Sequence, residues 1–104
     1  MSNSITFNEG VDKPIVVFFY VSYGGSCHLM RPAFEDLMEN FKDQVHFVLL
    51  EKGENVEEEI KCQVKKFPTI LFLRQEKEIS RLVGLVNRAE LYSHTNNLIS
   101  TILG

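Results

Sequence analysis

Seven consecutive apolar residues, Ile15-Val16-Val17-Phe18-Phe19-Tyr20-Val21, leave this 104-residue chain few ways to fold. The run has no polar alternation and is rich in β-branched and aromatic side chains, as expected of a strand covered on both faces in a parallel sheet. It is too short to cross a bilayer. A central strand is therefore predicted, with helices packed against it.

The first of those helices is predicted from about Gly25 to Phe41. Leu29, Met30, Ala33, Phe34, Leu37, Met38 and Phe41 recur there at 3.6-residue spacing and form one wide stripe. Pro32 lies inside this segment, where it removes an amide donor and is expected to kink the helix. Val45 to Leu50 reads as a second strand. Asn55 followed by Glu58 resembles a capping box opening a shorter helix, whose buried edge is predicted to be Val56, Ile60 and Val64. Thr69 to Leu73 and Ile79 to Val83 flank the polar Gln75-Glu76-Lys77-Glu78, which permits an antiparallel hairpin. A last helix starts at Asn87, with Glu90 three residues on, and carries Leu91, Leu98, Ile99, Ile102 and Leu103. A short strand near Ile5 to Phe7 precedes the whole.

Length allows one hydrophobic core and not two independent ones, so a single domain over 1–104 is expected. With 44% hydrophobic and 24% charged residues the chain has the composition of a soluble globular protein. A net charge of -3 signals no basic surface, so neither nucleic acid nor an anionic membrane is an expected partner. The N-terminus has no cationic segment leading into an apolar one, and a cytoplasmic location follows as the default. In a reducing cytosol Cys27 and Cys62 are expected as free thiols.

The segment Tyr23-Gly24-Gly25-Ser26-Cys27 joins the central strand to the first helix. A thiol in a helix's first turn meets unpaired amide donors and the positive end of the dipole, which favours the thiolate. Cys27 is placed there, and Gly24 and Gly25 leave no side chain over it. The competing reading is a small buried hydrophobe, since free cysteine is among the most buried residue types. Phe67-Pro68-Thr69 stands just before a strand, where proline cannot join the ladder and an X-Pro bond can be cis. His28 reads as a solvated surface histidine and Cys62 as a bystander off its helix's apolar edge. His46 and His94 have no ligand spacing with either cysteine, so no metal and no cofactor is expected.

Taken together these pieces resemble the thioredoxin family over nearly the whole chain. The matching elements are Val16 to Val21, the turn at Tyr23 to Cys27, Pro32, Phe67-Pro68-Thr69, and Gly84 before the last helix. The resemblance implies an α/β thioredoxin-like fold, a central mixed β-sheet of four to five strands flanked by helices on both faces. It sets the chain against the family motif Trp-Cys-Gly-Pro-Cys. Tyr23 then stands for the tryptophan, Gly24 for the nucleophilic cysteine, Ser26 for the proline and Cys27 for the resolving cysteine. Pro68 stands for the cis-proline facing the motif. Phe18 and Leu49 stand where the family has a buried aspartate and its lysine partner.

A dithiol cycle needs one thiolate to attack and a second thiol to resolve the mixed disulfide. The resemblance therefore implies a redox-impaired relative that binds extended protein segments in a groove formed by Tyr23, Gly24, Gly25, Ser26, Phe67, Pro68 and Gly84. The alternative is a monothiol oxidoreductase, in which Cys27 is catalytic and forms mixed disulfides with a thiol-bearing protein or glutathione.

Overall fold

The structure, a computed structural model, describes residues 13–23, 25–75 and 77–100. Along the chain these form β1 (Ile15–Tyr20), α1 (Gly25–Phe41), β2 (His46–Glu51), α2 (Val56–Lys61), β3 (Thr69–Arg74), β4 (Lys77–Val83) and α3 (Arg88–Ser100). The short strand expected near Ile5 to Phe7, and Ile102 and Leu103, fall outside the described residues.

The four strands form one mixed sheet in the order β2-β1-β3-β4. β1 runs parallel to β2 and antiparallel to β3, and β3 and β4 make the expected hairpin. The uniform apolarity of β1 is explained by the two cores it feeds. Val16 and Phe18 point to one face with Met30, Phe34 and Leu37 of α1 and Leu91 and Leu98 of α3. Ile15, Val17 and Phe19 point to the other, with Cys62 and Val64 at the end of α2 and just beyond it. Helices thus cover both faces of a mixed sheet, as the sequence led us to expect.

α1 passes unbroken through Pro32. Its buried stripe holds Met30, Phe34 and Leu37, but Leu29 is 68% exposed, contrary to expectation. At ~100° per residue Leu29 sits a quarter turn or more away from the centre of that stripe. α1 and α3 are tied by Asn40 Nδ2 donating to Tyr92 Oη at 2.7 Å and by Arg88 paired with Asp36 at 2.7 Å.

α2 departs further from expectation. Val56 and Ile60 are 50% and 71% exposed, and it is Cys62, 2% exposed, that is buried. A six-residue helix has too few turns to bury a stripe, and the chain instead turns inward after it, through Gln63 at φ +56°.

The two capping signals also part company. At α3 the box is reciprocal: Glu90 N–H donates to Asn87 Oδ1 at 2.8 Å and Asn87 N–H to Glu90 Oε1 at 3.4 Å. At α2 the Asn55 side chain makes no capping bond. Asn87→Ala is accordingly expected to lower stability by about 1 kcal/mol. Asn55→Ala should fall within about 0.5 kcal/mol of the native chain. Urea unfolding of the two variants checks this contrast.

Candidate functional site

The sheet register gathers the flagged residues at one end. In the antiparallel β1/β3 pair Phe19 faces Thr69, so one further step along each strand sets Tyr20 opposite Pro68. In the β3/β4 pair Thr69 faces Val83, and the next step brings Gly84 to Pro68, where Gly84 N–H donates to Pro68 C=O at 2.8 Å. The Phe67-Pro68 bond is cis. Gly84 has φ +83°, in the left-handed region where a side chain would strain the backbone. Lys52 joins this end too: its N–H donates to Tyr20 C=O at 2.8 Å and its ammonium lies 5.3 Å from the Phe67 ring centre.

Tyr23 projects into solvent at 87% exposure from the same end, where β1 passes into α1. Gly25 is the first residue of α1, and a Cβ built on it would meet nothing within 4 Å. Gly24 and the side chain of Ser26 lie outside the described residues. The structure thus brings Pro68 and Gly84 together with Tyr20, and sets the Tyr23 turn at the end of the strand that pairs with them.

Cys27 is the third residue of α1 and is 6% exposed. Its sulfur accepts the Val21 N–H at 3.4 Å. In angular terms it lies ~20° from Phe34 around the helix, on the face turned to the sheet. His28, one residue on, is exposed, as expected. Beneath Cys27 lie Phe18 and Leu49, cross-strand partners in the β1/β2 register. Phe18 is 6% exposed and packs its ring on Phe34, centroids 4.3 Å apart. No charged pair occupies these two positions.

Cys62 belongs to the core on the opposite face of the sheet from Phe18, and both thiols are free. Burial pushes the Cys62 thiol from its ordinary 9.0 up to about 11, with the Arg81 cation partly opposing and Glu78 and Glu58 reinforcing the rise. The folded state then holds this proton over a pH range in which the unfolded chain has lost it. Stability from this group is complete below pH 9 and falls as pH rises toward 11. Chemical denaturation at pH 8 and pH 10.5 should show the loss, and Cys62→Ala should remove this part of it.

Sequence reasoning missed two contacts. Ser22 Oγ donates to Glu51 Oε2 at 2.6 Å, fixing the chain just beyond β1. Arg81 reaches from β4 to donate to Cys62 C=O at 2.7 Å while it pairs with Glu78. Strand alternation could have set Arg81 on the α2 side of the sheet. Its carbonyl partner had no signal. Among the described residues no three His, Cys, Asp or Glu side chains gather as metal ligands, and no helix is long and apolar enough to cross a membrane.

Against known proteins, the family model described as thioredoxin matches residues 1–97. The chain is 33% identical over 73 residues to thioredoxin-2 of Saccharomyces cerevisiae, covering 70% of this chain and 69% of that one. It is 26% identical over 82 residues to a thioredoxin-like protein of Synechocystis, covering 79% and 78%. Among solved structures, the thioredoxin of Fasciola hepatica matches with a TM-score of 0.75 at 28% identity, over 83% of this chain and 81% of that one.

Proposed function

Since the chain belongs to the thioredoxin family, we propose that it has kept the family's protein-binding surface and lost its dithiol chemistry. The observation that carries this reading is Tyr23-Gly24-Gly25-Ser26-Cys27, in which the one cysteine is 6% exposed. A first attack needs a thiolate that a partner can reach. Gly24 offers no sulfur, and Cys27 faces the sheet.

The groove itself needs no thiol. An extended segment is recognised by main-chain pairing, with affinity concentrated in a few exposed aromatic or apolar anchors. Exposed Tyr23, with half-buried Phe67 and Gly84 around the buried cis Pro68, supplies such a surface. The reducing cytoplasm suits this role, because both thiols stay free there.

A second reading has one observation in its favour: Cys27 is a free thiol in the first turn of α1. Monothiol exchange with a protein thiol or glutathione would make capture of partners depend on that sulfur. The two readings separate in one experiment. Proteins retained on the immobilised native chain in dithiothreitol should remain on Cys27→Ala and weaken at least about tenfold on Tyr23→Ala. Capture that disappears in dithiothreitol and on Cys27→Ala would establish the monothiol reading instead.

A further inference from the structure

A recess of about 90 Å³ opens beside Cys27, between the flank of α1 and the β1/β2 half of the sheet. Phe18, Tyr20, Phe34 and Leu49 line it, and neither Phe67 nor Pro68 does, so it is separate from the groove at the cis peptide bond. The rings are already mutually packed: Phe18 lies on Phe34 at 4.3 Å and stacks on Tyr20 at 5.6 Å with 22° between planes. Leu49 remains 46% exposed, a large aliphatic side chain with apolar surface left uncovered.

Two features of the recess define an occupant. The first is size. A sealed cavity of about 150 Å³ holds a whole benzene ring. At about 90 Å³ this recess is smaller than that, with room for part of a ring while the rest of the molecule stays outside. An incoming ring would meet aromatic faces and edges, the offset and tilted arrangements that rings favour.

The second feature is charge. Arg31 and His28 stand at the mouth, together with Glu35. Glu35 Oε2 lies 3.6 Å from Nε of Arg31, and both side chains are more than 60% exposed. A pair so long and so exposed is weak, and the planar fork of the Arg31 guanidinium matches a carboxylate that reaches it from the recess.

We propose that this recess is a binding site for a small aromatic carboxylic acid, its ring seated among Phe18, Phe34 and Leu49 and its carboxylate on Arg31. The site does not depend on the groove reading and involves no bond to Cys27.

Phenylacetate is the probe, titrated to millimolar concentration into the ¹⁵N-labelled native chain. Amide shifts that saturate and centre on Phe18, Cys27, Phe34 and Leu49 are expected. No saturating shift, or shifts centred on Phe67 to Thr69, would overturn the site. Leu49→Trp narrows the recess from its exposed wall and should weaken phenylacetate at least about tenfold while the native spectrum is kept. Undiminished binding to that folded variant would count against the recess as the site.

Arg31→Gln tests the chemical class while leaving the apolar walls in place. It should weaken phenylacetate about threefold to fivefold and leave benzyl alcohol unchanged. Equal binding of phenylacetate to both chains would remove the carboxylate from the proposal.

Discussion

Mixed with insulin and dithiothreitol, the native chain is expected to reduce no more insulin than dithiothreitol alone. Two sulfurs have to act in succession for catalysis, the first attacking the substrate disulfide and the second displacing it. Position 24 is glycine, and Cys27 is 6% exposed with its sulfur accepting the Val21 N–H. Gly24→Cys supplies the missing thiol and should raise the rate above background. The raised rate should still lie ~10²-fold or more below a family member that has the buried aspartate, because a positioned acid–base group contributes ~10²–10⁴-fold. Phe18, packed on Phe34 and Tyr20, cannot carry a proton. Turnover by the native chain well above background would sink the proposal that its dithiol chemistry is lost.

Much of the fold was legible because its strongest signals come from residues with no alternative placement. The run Ile15 to Val21 could be little other than a strand covered twice, and both cores are built from its alternate side chains. The capping box at Asn87 was legible because its partner Glu90 is free to reach back. The same pattern at Asn55 misled. Asn55 has φ -136° and ψ 53° and makes no side-chain cap, and the carboxylate that reaches back at this end is Glu59, accepting the Gly53 N–H at 2.8 Å. Val56 and Ile60 misled for a related reason: a helical stripe fixes a face only when the helix is long enough to be held by it, and α2 has six residues.

The site divides along similar lines. Cys27 was located by its place between a strand and a helix, but the sequence left open whether it is a reactive thiol or a small buried hydrophobe, and the packing of α1 on the sheet buries it. What it faces depends on register. That Leu49 stands across from Phe18 follows from the β1/β2 pairing, and the recess beside them depends on how α1 lies over that pair. No local pattern in a sequence encodes either.

The pair Phe18 and Leu49 also yields a large effect on stability. Phe18→Asp is expected to destabilise the chain by about 4 kcal/mol or more, since losing a buried phenylalanine costs ~3–5 kcal/mol and the new carboxyl is left without a partner. For a domain of this size that lowers Tm by roughly 15 °C or more. The loss should depend on pH with a definite sign. Burial raises the introduced carboxyl above the ~3.9 of an unfolded aspartate, so below pH ~4 the group is neutral in both states and the loss is smallest. As pH rises past ~4 the unfolded chain ionises first, and the deficit against the native chain grows until the folded group ionises too. Leu49→Lys alone should cost little, because position 49 is 46% exposed and a lysine there can reach water. Combined with Phe18→Asp it should recover ~1–3 kcal/mol, a coupling that a double-mutant cycle in urea measures directly. Replacing a buried ion pair by well-packed apolar residues is often neutral or stabilising, which is how a chain with no proton to move could come to hold Phe18 against Leu49. Were Phe18→Asp to cost under about 1 kcal/mol with no slope in pH, Phe18 would not be packed on Phe34 as described, and the inability to relay a proton would lose its structural basis.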